Sequence, residues 1–167
     1  MKSLRLPHQG FSPIGRDRLL REKVHDSYKL RGKLKEPTVC SECGAVYHQG
    51  SWRWLPRPEA AVETICPACH RLRDHYPAGY VTLHGDRLNV LQDELLHLIR
   101  NEEQREKADH ALQRIMDIEK GEGEWLVTTT DIHLARRIGE ALHQAYQGAL
   151  EYHYNPEENL LRVHWAA

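Results

Sequence analysis

Apolar residues change their spacing several times along the chain, and each change marks an element. Leu19, Leu20, Val24 and Tyr28 recur at helical intervals, with Arg16, Arg18, Arg21 and Lys23 on the remaining faces, so a short helix is expected from Arg16 to Tyr28. Gly32 and Pro37 limit how far it runs. Ahead of it, Pro7, Gly10, Pro13 and Gly15 break any period, and the first fifteen residues read as an extended or disordered tail. Ala45 to His48 and Ser51 to Leu55 flank Gln49-Gly50, the pattern of a hairpin.

A different regime begins at Gly79. Gly79 to His84 is rich in β-formers and closes at Gly85-Asp86. Leu88, Leu91, Leu95, Leu98 and Ile99 mark one helical face. A polar stretch over 100–107 then leads to a second helical face at Ala108, Ala111, Leu112, Ile115 and Met116, ended by Gly121 and Gly123. Trp125 to Thr129 reads as a strand, and Thr130-Asp131 as the cap of a helix carrying Ile132, Ala135, Ile138, Leu142 and Tyr146. Ala149 to Tyr154 and Leu160 to Trp165 form a hairpin around Asn155-Pro156. The order β-α-β-α-β-β predicts a small sandwich with helices on one face, close to a ferredoxin-like plan.

Composition narrows the class. With 167 residues, 40% hydrophobic and 28% charged, the chain can bury a core and does not read as disordered. No apolar run reaches the length of a membrane span, and Met1 to His8 lacks the apolar stretch of a secretory signal. A cytoplasmic location without a membrane partner is therefore expected. Charge is uneven: residues 1–37 hold ten Lys/Arg against four Asp/Glu, residues 38–78 four against four, and residues 79–167 nine against sixteen. A basic arm ahead of an acidic body suggests that the arm meets a polyanion while the body faces solvent or a protein partner.

The chemistry concentrates in the four cysteines, Cys40-Ser41-Glu42-Cys43 and Cys66-Pro67-Ala68-Cys69. Two thiolates three residues apart on a tight turn can point at one ion, and two such knuckles together give the tetrahedral four-sulfur site that Zn²⁺ prefers. Gly44 and Pro67 suit the knuckle turns. One Zn²⁺ per chain on Cys40, Cys43, Cys66 and Cys69 is expected, in a zinc ribbon of two knuckles and no third. Covalent haem through Cys66 to His70 would leave Cys40 and Cys43 unexplained. A thioredoxin-like dithiol wants its CxxC at the start of a helix in a βαβ setting, which neither pair has. The ligand set alone does not exclude an iron–sulfur cluster. The twelve histidines are scattered with no paired metal spacing, although His48 or His70 could replace or support a thiolate.

The fold class expected is thus α+β, divided into a basic arm with a short helix over 1–37, a zinc ribbon over 38–78 and an α+β domain over 79–167. No P-loop, GxGxxG, GxSxG or nucleophile–base set is present, so no small-molecule substrate and no catalysis are expected. The run Glu102, Glu103, Glu106 and Asp109 is most simply a solvated helix face, with magnesium or protein binding as the other readings. Trp52 and Trp54 alternate with Arg53 in the hairpin, and aromatic faces beside guanidinium stack on unpaired bases. Strand alternation explains at least one of the two as packing. The candidate nucleic-acid contacts are Arg16, Arg18, Arg21, Lys23, Lys29, Arg31, Lys33, Lys35, Trp52 and Arg53.

Thr38 to Ala45, the Gly50-Ser51-Trp52 turn, Ile65 to Cys69 and Tyr80 to Gly85 resemble the second zinc module and following strand of the archaeal and eukaryotic nonsense-mediated-decay protein three family. The likeness extends through Glu124 to Val127 and the helix holding Ala135, Arg136 and Ile138. The chain looks like a short bacterial-type relative, similar to short proteins with the same Arg16-Asp17-Arg18-Leu19 and Val24-His25-Asp26 arm. The family's eukaryotic members are adaptors for export of the large ribosomal subunit, so the resemblance implies binding to the ribosome or ribosomal RNA without catalysis. The family's preceding pair of CxxC motifs has no counterpart here, nor does the family place the basic arm. Two functions are therefore carried: a zinc-stabilised RNA-binding or ribosome-associated factor, and a protein–protein adaptor or regulator for which the ribbon is only a scaffold.

Overall fold

The computed structural model describes residues 10–16, 28 and 32–167. Between its end residues Arg16 and Tyr28, the expected arm helix lies outside the described residues. The rest is α+β, with two sheets and three helices. The smaller sheet joins β2 (Thr38–Cys40), β3 (Val46–His48), β4 (Ser51–Arg53) and β5 (Val62–Thr64) in the order β4-β3-β2-β5. The expected hairpin is β3–β4, turning at Gln49-Gly50 with both residues at positive φ (51° and 80°). Helix α1 (Pro67–Asp74) follows directly on this sheet.

The larger sheet contains β1 (Ser12–Ile14), β6 (Gly79–His84), β7 (Ile115–Lys120), β8 (Glu124–Thr129), β9 (Ala149–Asn155) and β10 (Leu160–Ala166), in the order β1-β9-β10-β6-β8-β7. Helices α2 (Gln92–Asp109) and α3 (Ile132–Tyr146) pack on each other, and α3 lies across β6, β8, β9 and β10. Asp131 caps α3 as expected, its carboxylate accepting from the His133 and Leu134 N–H groups at 2.8 and 3.2 Å. Val81, Leu83, Trp125, Val127, Val163 and Trp165 meet Ile138 and Leu142 of α3 and Leu95 and Ile99 of α2 in one core. Two glycines set how closely α3 approaches the sheet. A Cβ on Gly79 would sit 2.5 Å from that of Ala135, and one on Gly139 would sit 2.5 Å from Val163 Cγ1.

Two expectations are corrected. Ile115 and Met116 do not continue a helix: α2 ends at Asp109, and residues 115–120 form β7, an antiparallel partner of β8 through the turn at Gly121 to Gly123. The few apolar residues after the polar stretch fit either period, and the backbone of β8 needs a partner on that side. The observed order is therefore β-α-β-β-α-β-β. Its first half, with β8 between β6 and β7, follows the split β-α-β arrangement. Its second half departs from the ferredoxin-like plan, because the place beside β6 is taken by β10, running parallel to it, and not by the strand directly after α3. The second correction concerns the tail. Ser12 to Ile14 is a strand, pairing antiparallel with Tyr152 to Tyr154 and covering the edge of β9.

Along β10, Val163 and Trp165 enter the core, so His164 faces the other side of the sheet, where Thr82 bonds its ring. Burial, with Arg162 and His153 nearby, holds His164 down to about 4. Its folded pKa lies below the unfolded value, so the stability it contributes is present above about pH 6.5 and is lost as pH falls toward about 4. We predict that His164→Gln flattens the decline of the urea midpoint across that window; an unchanged pH profile would contradict the assignment.

Candidate metal centre

The first knuckle follows β2. Gly44 takes φ 80°, a conformation that costs glycine little, and its N–H closes on the Cys40 carbonyl at 3.0 Å while Cys40 N–H bonds the Ala45 carbonyl at 2.8 Å. The second knuckle opens α1. Cys66 is its N-cap, with the Sγ accepting from Cys69 N–H at 3.4 Å, and Pro67 fills the first helical position. A CxxC at a helix start was not expected from the sequence, but here it faces a second pair. Cys66 N–H donates to Cys40 Sγ at 3.3 Å and ties the two knuckles together.

The four sulfurs lie within 4.8 Å of one another, and no disulfide joins them. Cys40, Cys66 and Cys69 are buried and Cys43 half-buried. This group can hold a metal ion. Neither His48, exposed at the end of β3, nor His70, packed edge-on against Tyr28, belongs to it. Cys43 and Cys66 Sγ approach to 3.8 Å, within reach of an S–H···S bond when no metal is bound. Cys43 is held down to about 4 by that bond, with help from Ala45 N–H and Arg114, while Cys66 is pushed up by the same bond and by burial. Burial pushes Cys69 up to about 11.

Arg114 is the residue that sequence reasoning missed. It lies in the turn between α2 and β7 and is 7% exposed, yet its guanidinium reaches across to the cysteines. Nη2 donates to Cys43 Sγ at 3.1 Å and stands 3.7 Å from Cys66 Sγ, and Nη1 donates to Cys69 Sγ at 3.3 Å. Burial opposes its charge most strongly, but the hydrogen bonds to Cys69 and Cys43 outweigh it and raise its pKa above the ordinary value. Nothing in the local spacing marks Arg114, which stands 71 residues from Cys43.

The two tryptophans of β4 and its continuation have opposite fates. Trp52, expected on an exposed hairpin and counted among the nucleic-acid contacts, is 8% exposed and packs edge-on against Tyr47 among the cysteines. Its neighbours in the strand face outward because successive side chains alternate, and the ring serves the core. Trp54 is 39% exposed. Its ring lies 5.4 Å from the Arg114 guanidinium and 5.7 Å from Lys107 Nζ, and its indole N–H donates to the Lys107 carbonyl at 2.8 Å. Beside it a cleft of about 940 Å³ opens, lined by Leu34, Arg53, Trp54, Leu55, His110 and Gln113 among others.

Of the expected basic contacts, Lys33, Lys35 and Arg53 are exposed. Arg16 is elsewhere: it pairs with Glu140 of α3 at 3.1 Å, and its carbonyl accepts from Arg136 at 2.7 Å. Arg18, Arg21, Lys23, Lys29 and Arg31 lie outside the described residues. Tyr28 rests on α1, donating to Asp74 at 2.9 Å with the Arg71 guanidinium 4.6 Å from its ring. In the acidic run, Glu102 and Glu103 pair with Arg105 and Arg100 at 3.5 and 3.4 Å, and Glu106 lies 3.8 Å from Arg137.

Among the described residues no helix is long and apolar enough to cross a membrane. Comparison of the chain with protein-family models, with curated proteins and with solved structures finds no match.

The contrast between the tryptophans is measurable. Trp52→Ala should cost about 3–5 kcal/mol of stability by urea unfolding, as emptied aromatic core sites do. Trp54→Ala should cost only about 1–2 kcal/mol, the scale of one hydrogen bond and a partly exposed cation–π contact. Equal losses would contradict the packing described.

Proposed function

We propose that this chain is a zinc-stabilised, non-catalytic factor that binds RNA, in association with the ribosome or ribosomal RNA. The observation that carries the RNA reading is the cleft, which the two-fifths-exposed indole of Trp54 lines together with the exposed cation Arg53 and with Gly32 and Leu34, whose sequence neighbours Lys33 and Lys35 are exposed. Bases stack on such a ring whatever their identity, and phosphates take the cations. Trp54 thus assumes the part that the sequence suggested for Trp52. The net positive charge of residues 1–37 supports the same reading, and so does the resemblance of the knuckles to a family of ribosome-binding adaptors. The acidic α+β domain would then face a protein, and the compartment would be the cytoplasm.

Zinc is the metal that the donor set favours. Four thiolates are soft ligands, and a tetrahedral ion with Zn–S of about 2.3 Å has S···S edges of about 3.8 Å. The approach of Cys43 to Cys66 at 3.8 Å fits that edge. Four sulfurs close the coordination sphere and leave no position for a reacting water, so the metal's part is structural. The small sheet, with its paired knuckles, would then be a zinc ribbon.

The runner-up is a protein–protein adaptor or regulator, for which the ribbon is a scaffold. It draws support from Arg16, a cation of the arm that is taken up by Glu140 of the body and not left for phosphate.

For the metal, elemental analysis of the purified chain should give one zinc, and Cys66→Ser should lose it and unfold the ribbon while the α+β domain persists. No zinc, or full zinc retained in the variant, would refute the assignment. For RNA, changing Lys33, Lys35 and Arg53 together to alanine should weaken binding and reduce the slope of log K against log salt by up to about 2, at about 0.7 per contact on a single strand. Trp54→Leu should weaken binding by about 1–3 kcal/mol and leave that slope nearly unchanged. Co-sedimentation with ribosomes should disappear at high salt. If both variants bind RNA and ribosomes like the parent, the adaptor reading replaces this one.

A further inference from the structure

We infer that Arg114 is a working part of the metal centre, and that through it metal occupancy and the seating of the α+β unit on the cysteine unit form a single coupled equilibrium. The inference rests on the reading of the cysteine cluster as a metal site. Four thiolates around a divalent cation leave two negative charges in excess, and burying uncompensated charge is costly. Within the cysteine unit, the N–H groups of Cys66 and Cys69 serve the sulfurs of Cys40 and Cys66. Cys69 Sγ receives an N–H donor from outside that unit, from Arg114 at 3.3 Å, and Arg114 also donates to Cys43 Sγ at 3.1 Å. One planar guanidinium spans both sulfurs, a geometry that a lysine ammonium lacks.

Arg114 is held from behind by the α+β unit. Its Nε donates to the Ala111 carbonyl at 3.0 Å, its N–H to Thr130 Oγ1 at 2.9 Å, and its carbonyl accepts from Thr130 N–H at 2.9 Å. Thr130 directly precedes the Asp131 cap of α3. The charged end of a rigid element of one unit is therefore seated among the metal ligands of the other. The contacts around it are modest: Ala111 and Leu112 against the cysteine cluster, and Trp54 against Lys107 and Arg114. Linkage then fixes the consequence. Whatever factor the seated guanidinium adds to metal affinity, the metal adds to seating.

The test uses the full chain and Zn²⁺ itself. Zinc affinity is measured by competition with a chelator of known strength for the wild type, Arg114→Met and Arg114→Lys. The methionine variant should bind Zn²⁺ about 10–100-fold more weakly, the usual scale for losing a partner of a metal ligand, and the lysine variant should fall between. Hydrogen exchange of the wild type is then followed before and after zinc removal. Amides 107–114 and the Trp54 indole should exchange faster without zinc, while β6, β8 and β10 stay protected. Arg114→Met holding Zn²⁺ as tightly as the wild type would overturn the inference. So would amides 107–114 that keep their protection after zinc removal, a readout that stands even if the methionine variant does not fold. A wild-type chain that binds no Zn²⁺ is a different result, and refutes the metal reading beneath it.

Discussion

One buried guanidinium among four cysteine sulfurs determines how the two sheets of this protein meet. Each partner alone would be costly: Arg114 is almost wholly enclosed, and so are three of the four cysteines, Cys43 being half-buried. Together they satisfy one another, with Nη1 and Nη2 directed at sulfurs from both knuckles. The arrangement is specific because a guanidinium has a fixed fork, and because the knuckles have little freedom once Gly44 and the Cys66 cap are formed. Trp54, which lines the cleft, lies against the guanidinium that meets the sulfurs.

That contact can be held in place because the larger sheet is stiff where Arg114 leaves it. β6 is central, flanked by β10 and β8, and α3 comes down close on it where Gly79 and Gly139 leave room. The exposed edges are blunted in two ways. β1 covers β9, and β7 carries a register shift between Ile115 and Asp117 that discourages further pairing. Arg114 stands just before β7, tied to Thr130 at the end of β8, so its position follows from the sheet and not from a free loop.

The distribution of charge bears on the functional proposal. Acidic residues of α2 pair with arginines of their own helix or of α3, which makes that surface an ordinary ion-paired one. Arg16 is likewise taken up by the body. Arg53 is exposed and lines the cleft with Trp54, and Lys33 and Lys35 are exposed next in sequence to the cleft-lining Gly32 and Leu34, which is why the proposed RNA contact moves from the arm as a whole to the cleft.

By itself the sequence determined what local spacing can encode. The two CxxC pairs announce their cluster because two thiolates on one tight turn have few other uses in company. The Asp131 cap, the apolar face of α3, the β3–β4 hairpin and the β9–β10 pair were legible for the same reason, since capping and periodicity are properties of neighbouring residues. Only the tertiary structure decided the rest. Residues 115–120 became a strand because β8 offered an unpaired edge, and Ser12 to Ile14 became one because β9 did. Alternation puts Trp52 and Trp54, two residues apart, on one face, but β4 ends at Arg53, and only the tertiary structure decides that the core takes Trp52 and leaves Trp54 part-exposed. Arg114 was invisible, because nothing near it in the chain needs a cation. The sulfurs that need it lie 45 and 71 residues away and arrive only when the two units close on each other.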